Sequence, residues 1–285
     1  MREKVEIKDN ILKTLNWIKS KGYVLGVPNT AAAHNAIYRG DNLLSHFASL
    51  DALSEKVRSG DFSNIFIGDW FETTINSSLG GSEKIRWVVA GIDTYLHTGD
   101  TECTTHHLTM IAEDCFKTLH VMNPSDTTAG GFEGTQLWRQ TLPAYNTALK
   151  NAIGAGHVLN HRELLSVSTN NSTPSMAGAG WSGASTGWAW HDAELMIPSE
   201  VQVYGSTVFS SSFYDVANRN RQLPYFAMRQ DKLVAGLGYG GSRCAWWLSA
   251  VSSSTAFALV DGYGAANDAG ASYSWVAVRP LFLFA

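Results

Sequence analysis

Five imidazole and thiol side chains lie in two short stretches of the chain, CTTHH (103–107) and HVLNHR (157–162). Imidazoles and thiols are the ligands that zinc prefers in proteins. However, His106 and His107 are adjacent, and adjacent side chains on a strand point to opposite faces, so the two cannot reach one ion without distortion. The chain also contains neither a CxxC nor an HExxH pattern. The two stretches therefore favour structural histidines, and we expect no metal and no cofactor.

The same side chains are also suited to a buried polar network. In such a network, His161 and Arg162 would pair with carboxylates such as Asp114 or Glu163. A zinc- or thiol-dependent enzyme remains an alternative, and it would be built on the cluster of His106, His107 and His161.

The cysteines are the other candidate nucleophiles. A catalytic thiol needs a nearby base and an electropositive setting. Cys244 follows Arg243, but no histidine is close to it in the sequence. Since free cysteines are usually buried and inert, Cys244 is interpreted as a small apolar core residue. Cys103 and Cys115 are too scattered to form a disulfide framework with it.

The acidic stretch DGYGAANDAG offers three oxygen-bearing side chains, Asp261, Asn267 and Asp268. Calcium needs six or more oxygen ligands, and the spacing here is not that of an EF-hand loop. Aspartate, asparagine and glycine are also the residues that turns require. Turn formation is therefore the preferred interpretation, with a structural calcium ion left open.

The stretch AWWLSAV (245–251) places two adjacent tryptophans in a β-like run. If this is a strand, one of the two should face the core, and we expect Trp247 there and Trp246 on the outside. An exposed aromatic residue surrounded by Ser, Ala, Asn and Tyr has the composition of an adaptable binding surface. An ordinary edge strand is the alternative.

Bulk composition narrows the class of protein. The 285 residues carry a formal charge of −4, so binding to nucleic acid through phosphate contacts is not expected. No apolar run approaches the ~20 residues that span a bilayer, and residues 1–10 lack the apolar region of a signal peptide. We therefore expect synthesis in a bacterial cytoplasm. The content of 10 Trp, 10 Tyr and 26 Gly suits a loop-rich binding fold.

Helical periodicity marks three segments. The first has a narrow apolar stripe at Ile11, Leu15 and Ile18, which could dock on the body or pack against copies of itself. The second runs from an N-cap at Ser49 to Gly60. The third begins near Thr135 and ends at Gly154, and Pro143 should kink or split it.

Strands are predicted in NIFIGDWFETTI, KIRWVVAGIDTYL, HHLTMIAED, EVQVYG, CAWWLSAV, TAFALVDG and SYSWVAVRPLFLF. The segment from Ser166 to Trp190 is rich in Ser, Gly and Trp, and it is predicted to be a long ordered loop.

The C-terminal pattern of Trp247-Leu248, Phe257-Ala258-Leu259-Val260, Gly270-Ala271-Ser272 and Val278-Arg279-Pro280 is similar to that of the C-type-lectin-like variable proteins of diversity-generating retroelements. In that family, the skeleton persists while the positions between are rewritten by adenine-directed mutagenesis. Two positions depart from the family pattern. Ala277 stands where glycine is frequent, and Ser249 stands where arginine is frequent. The stretches AHNAIYRGDNL, IFIGDWF, HTGDTECTTHH, TTAGGFEG and HVLNHRELL also resemble tail-associated proteins of phages that infect gut Firmicutes.

The resemblance implies an α+β fold like that of C-type lectins and formylglycine-generating enzymes, with small sheets, few helices and long ordered loops. Residues 1–60 would form a helical oligomerisation or attachment segment. Residues 61–285 would form the ligand-binding domain, with a variable region at about 240–280.

The implied function is that of a non-catalytic phage tail-tip or fibre protein, part of the virion, that binds a host cell-surface receptor (protein or glycan). It would also contact other virion tail proteins and form a homo-oligomer, a trimer by analogy with phage fibres. A structural virion component without receptor binding is the alternative. The expected ligand-binding residues are Arg243, Ala245, Trp246, Ser249, Val251, Ser253, Asp261, Tyr263, Asn267, Tyr273 and Trp275.

Overall fold

A computed structural model describes residues 27–170, 184–211 and 221–285, together with the helical residues Ile11, Lys13, Thr14, Asn16 and Trp17. The architecture is mixed α+β, with few helices and several small antiparallel sheets, as expected. Leu15 and Ile18 of the predicted N-terminal stripe lie outside the described residues. Within the described part of the chain, no helix has the length and apolar character needed to cross a membrane.

The largest sheet has five strands in the order β1-β2-β3-β12-β6. All of its pairings are antiparallel. Its strands are β1 (Trp70–Ser77), β2 (Gly81–Ile92), β3 (Leu108–Ala112), β6 (Leu195–Met196) and β12 (Leu281–Phe284). The strand β12 is fully buried because it lies between β3 and β6.

The second sheet is antiparallel and contains most of the predicted variable region. Its three strands are β9 (Trp246–Val251), β10 (Ala256–Val260) and β11 (Ala266–Gly270), with β10 in the middle. Every residue of β10 is buried. The strand β11 was not predicted, since its sequence ANDAG resembles a turn. Similarly, SYSWVAVRPLFLF forms a strand only over β12.

Two further hairpins complete the sheets. The strands β4 (His161–Thr169) and β5 (Ser185–Ala193) pair with each other, as do β7 (Ala235–Gly236) and β8 (Arg243–Cys244). The prediction of one long loop over 166–190 is therefore wrong at both ends, because Ser166 and Trp188 are paired across the hairpin. Residues 171–183 lie outside the described part.

Two predicted helices are confirmed. In α2 (Leu50–Arg58), the Ser49 side chain accepts a hydrogen bond from the Ala52 N–H, and Leu53 and Val57 are buried. The helix α3 (Leu142–Ile153) follows a wider π-helical turn at Leu137–Thr141 and carries its proline near its first turn. Pro143 lies in the first turn of α3, where its missing N–H is tolerated, and the segment changes there from π-helix to α-helix without a break.

In the described ranges from residue 27 onward, the other α-helices are short, namely α1 (Ala31–His34), α4 (Glu200–Tyr204) and α5 (Pro224–Met228). The helix α4 corrects the prediction of a strand in EVQVYG. Its first turn is closed by a capping box between Ser199 and Gln202, and Gly205 ends it in the left-handed region. These end signals outweigh the β-branched valines between them.

Candidate functional site

The two adjacent tryptophans of β9 are both fully buried, so the expectation that Trp246 faces outward is wrong. The reason is that the second sheet is covered on both faces. On one face, the ring of Trp246 stacks on Phe226 of α5, and its Nε1 donates to the carbonyl oxygen of Leu233. On the other face, Trp247 Nε1 donates to the carbonyl oxygen of His120.

Two more of the expected binding residues are also buried. Ala245, directly before the covered strand β9, is 7% exposed, and Val251, the last residue of β9, is 0% exposed. With Trp246, they belong to the supporting core and offer no contact surface in this structure. Trp246 was expected outside because successive side chains of a strand point to opposite faces. That argument does not predict exposure when both faces of the sheet are covered.

Four of the five exposed members of the set form two contact pairs. Arg243 lies over the ring of Tyr263, with 5.4 Å between the guanidinium carbon and the ring centroid. Tyr273 and Trp275 are in contact at a centroid distance of 5.6 Å and a tilt of 50°. These four side chains provide a cation and three large aromatic rings on the surface.

Turn chemistry positions the first pair. The Asp261 carboxylate oxygen Oδ1 accepts hydrogen bonds from the backbone N–H groups of Tyr263 and Ala265, and Gly264 adopts a φ of +89°. This fixes the turn between β10 and β11 and directs Tyr263 outward, where it is 81% exposed. Asp261 is therefore a turn-forming residue, which is the interpretation that its sequence context favoured.

A second carboxylate positions the other pair. Asp126 Oδ1 accepts hydrogen bonds from both the backbone N–H and the hydroxyl of Ser272, the residue before Tyr273. These hydrogen bonds lower the pKa of the Asp126 carboxyl. The loop that carries Tyr273 and Trp275 is thus tied to a distant part of the chain, although nothing in the local sequence pointed to Asp126.

The remaining expected residues are polar, and each of them takes part in a hydrogen bond. Ser253 Oγ accepts hydrogen bonds from the N–H groups of Thr255 and Ala256, and Asn267 Oδ1 accepts from Asp268 N–H. Ser249 is half-buried, and its N–H donates to the carbonyl oxygen of Pro198. Ser253 and Ser249 are only partly accessible, whereas Asn267 is exposed.

The histidines have partners of their own. His106 Nδ1 lies 2.7 Å from Asp93 Oδ2. The buried ring of His107 contacts the Thr105 carbonyl oxygen at 2.9 Å through Nδ1 and accepts the Tyr95 N–H through Nε2. Among the residues that the structure describes, no group of three or more His, Cys, Asp or Glu side chains could hold a metal ion.

The expected polar network is present in part. His161 Nε2 lies 3.2 Å from Glu163 Oε1, and both side chains are buried. Arg162, by contrast, pairs with Asp100 at 2.7 Å and Asp192 at 3.2 Å, on the surface. Asp114 does not join them, because its carboxylate accepts the N–H groups of Gly236 and Gly240.

The chain matches no known protein-family model, and no curated protein or solved structure is significantly similar to it.

Proposed function

We propose that the protein is a non-catalytic ligand-binding protein of the C-type-lectin-like variable class, whose C-terminal surface binds a host-cell surface molecule from the tip of a phage tail. The observation that carries this proposal is a contrast in exposure within about 30 residues. The strands β9 and β10 are almost wholly buried, whereas Tyr263, Trp275 and Tyr273 on the adjoining turns are 81%, 53% and 43% exposed.

Large exposed aromatic residues support a binding role for physical reasons. Each of them keeps apolar surface in contact with water, although burying that surface would stabilise the folded protein. Protein-binding energy concentrates on tryptophan, tyrosine and arginine anchors, and the exposed side chains of the set include all three types. Arg243 over Tyr263 is a preformed pair, which reduces the side-chain entropy lost on binding.

The buried residues support the proposed family as well. The skeleton that the resemblance assigns as persistent is 0% exposed at six of its large positions, Trp247, Leu248, Phe257, Val260, Val278 and Arg279. A skeleton of this kind keeps the fold stable while exposed neighbours change, since surface substitutions usually cost within about ±0.5 kcal/mol.

The proposal narrows the binding set to the exposed positions. Arg243, Tyr263, Asn267, Tyr273 and Trp275 are exposed, and Ser249, Ser253 and Asp261 are half-buried at their edges. Ala245, Trp246 and Val251 are assigned to the scaffold. The receptor is a protein or a glycan on the host cell.

A fourfold alanine variant tests the proposal. Arg243, Tyr263, Tyr273 and Trp275 are replaced together, and binding of the labelled protein to candidate gut Firmicutes cells is measured beside its thermal melting. We expect binding to be lost with little change in melting temperature. The matched control is Leu79→Ala, which removes an exposed apolar side chain (45% exposed) on the β1–β2 turn. If the fourfold variant binds the same cells as strongly as the wild type, the structural-component alternative replaces this proposal.

A further inference from the structure

A groove of about 520 Å³ lies beside the start of α3. Its lining comes from two distant parts of the chain, with Trp138, Arg139 and Asn146 on the helical side, and Asp192 and Glu194 around the end of β5. Pockets that hold small molecules usually measure about 300–1,000 Å³ and combine apolar walls with a few polar groups. None of these five residues belongs to the expected receptor-binding set, so the groove is a separate candidate site.

Trp138 supplies an aromatic surface that is already held in place. It is half-buried, its ring contacts those of Phe132 and His191 at centroid distances of 5.9 and 6.5 Å, and its backbone N–H donates to Thr135 Oγ1. Little side-chain entropy therefore remains to be lost when a ligand covers it. The electron-rich face of an indole attracts polarised C–H bonds, so Trp138 suits a ligand with an apolar C–H face. The residue also lies in a π-helical turn, a rare form that is frequent at functional sites.

Glu194 supplies oriented hydrogen-bond acceptors. Its two carboxylate oxygens accept from Lys150 Nζ at 2.5 Å and from Asn146 Nδ2 at 2.6 Å, which fixes the plane of the group. Each carboxylate oxygen has two lone pairs, so each can accept one further hydrogen bond. The side chain is 26% exposed and is therefore within reach of a ligand hydroxyl.

The amide of Asn146 has an unused acceptor as well. Its Oδ1 atom is buried and has no hydrogen-bond partner among the residues that the structure describes. Buried polar atoms are nearly always paired in folded proteins. A hydroxyl group of a bound molecule would supply the donor, with the small side-chain adjustment that is common on binding.

The charged groups that line the groove all have partners of opposite charge. The pairs are Arg139 with Glu133 at 2.8 Å, Asp192 with Arg162 at 3.2 Å and Glu194 with Lys150 at 2.5 Å. An ionic ligand would have to compete with one of these partners, whereas a neutral ligand needs only the unused lone pairs. Hydroxyl groups are neutral donors of this kind. A pyranose ring combines them with an apolar C–H face, which is the combination that Trp138 and Glu194 favour.

We propose that this groove is a binding site for a neutral saccharide, with a pyranose ring on Trp138 and its hydroxyl groups hydrogen-bonded to Glu194 and Asn146. The side chains of Asp192 and Arg139 are 68% and 57% exposed and offer acceptors and donors to further hydroxyl groups. This inference does not rest on the proposed receptor-binding role, because it uses none of the residues assigned to that role.

The test is isothermal titration calorimetry of the native protein with maltose, lactose and cellobiose at up to about 10 mM. Sialyllactose is the anionic comparison, and sorbitol, which has hydroxyl groups but no ring, is the polyol control. We expect at least one neutral disaccharide to bind, sialyllactose to bind no more tightly than lactose, and sorbitol not to bind. In the wild type, the bound disaccharide should slow amide exchange over 138–146 and 192–195.

Substitutions locate the site. Trp138→Ala should weaken binding of that disaccharide about tenfold or more, because it removes the stacking surface. Glu194→Gln should weaken it about threefold or more, since one of the two acceptor oxygens is lost. Trp70→Ala is the matched control, because it removes a half-buried indole of β1 outside the groove and should leave the affinity unchanged. Thermal melting of each variant checks that it is folded.

The binding measurements can overturn the proposal in several ways. It is wrong if none of the three neutral disaccharides binds, if only sialyllactose binds, or if sorbitol binds as tightly as the sugars. It is also wrong if Trp138→Ala and Trp70→Ala reduce the affinity equally, or if the slowed amide exchange appears only over 243–275. The exchange measurement on the wild type decides the location even where a variant fails to fold.

Discussion

The guanidinium of Arg279 lies over the indole ring of Trp246, with 5.0 Å between the guanidinium carbon and the ring centroid, and over the ring of Phe226 at 5.3 Å. The cation therefore joins β9, α5 and the residues before β12 in one contact. Its guanidinium also donates to the carbonyl oxygens of Ala112 and Glu113, at the end of β3, and of Lys232. A single side chain thus connects the second sheet to the first.

Replacement of Arg279 by lysine should destabilise the protein by about 2 kcal/mol or more, because an ammonium group cannot reproduce the planar fork that reaches three carbonyls. Urea denaturation measures the free energy of unfolding. Arg243→Lys is the matched control at an exposed arginine of the same region, with an expected change within about 0.5 kcal/mol. Equal effects of the two substitutions would show that the buried position has no special role.

Substitution of a buried and of an exposed tryptophan should affect stability and binding differently. Trp246→Ala should lower the free energy of unfolding by about 3–5 kcal/mol, since it empties a fully buried site. Trp275→Ala should change stability little, because its ring is 53% exposed, yet it should weaken the proposed receptor binding. Melting curves and cell-binding measurements on both variants check this. A stable Trp246→Ala protein would contradict the burial argument.

Glu200 should be a stability determinant of the segment that follows α4. Its buried carboxylate accepts the backbone N–H groups of Val208, Phe209 and Ser210 at 2.7–3.1 Å. Glu200→Gln leaves a single, uncharged acceptor oxygen in place of the carboxylate. We therefore expect the free energy of unfolding to fall by about 1–3 kcal/mol and amide exchange over 208–210 to become faster. The exposed Glu55→Gln is the control, and equal exchange rates in the wild type and the Glu200 variant would refute the prediction.

Acid should weaken the protein partly through Glu72. Hydrogen bonds from Lys84, Arg86 and Tyr239 lower its pKa from 4.5 to about 2, with that from Lys84 the largest cause. The pKa of Glu72 is lower in the folded state than in the unfolded state. Its carboxylate therefore stabilises the folded protein above the unfolded-state pKa, and this stabilisation is lost as the pH falls from 4.5 towards 2. Glu72→Gln should therefore cost more stability at about pH 6 than at about pH 3.

Urea denaturation of both proteins across this pH range measures the effect of Glu72. Tyr239→Phe removes one donor to the same carboxylate and should give a smaller effect of the same sign. A difference between the wild type and the Glu72 variant that does not change with pH would contradict the assignment.

Oligomerisation should depend on the N-terminal segment. Ile11 and Trp17 are helical and 54% and 58% exposed, so they offer apolar surface for contact between copies. We expect a trimer by light scattering, and a monomer after Ile11, Leu15 and Ile18 are all replaced by glutamate. A wild-type protein that is monomeric at micromolar concentration would refute this prediction.

Local signals were sufficient for the elements whose ends are marked. The side-chain oxygen of the N-cap Ser49 and the missing N–H of Pro143 act on the backbone within one helical turn, so α2 and α3 were predictable from sequence. The valines of α4 suggested a strand, although the Ser199–Gln202 box was visible in the sequence and decided for a helix.

The site was less predictable because it depends on distant contacts. Whether Trp246 faces outward is decided by Phe226, which lies on another element. The placement of Cys115 and Cys244 beside the segment that begins with β7 likewise depends on pairing between distant parts of the chain. Tyr263 and Trp275 were chosen because they flank the predicted skeleton, and they are exposed because both lie in turns, although Trp275 had been placed in a strand.

The central placement of β12 has a consequence for the order of folding. Arg279, two residues before the start of β12, donates to the carbonyl oxygen of Ala112, which lies 167 residues earlier in the chain. Closing a loop of this length loses much chain entropy before the stabilising contacts form. Proteins rich in such long-range contacts therefore fold slowly. Until β12 arrives, β3 presents an unpaired edge, which is the kind of surface that promotes aggregation. Refolding should accordingly be slow and limited by closure of the five-stranded sheet, and dilute protein should give the higher yield.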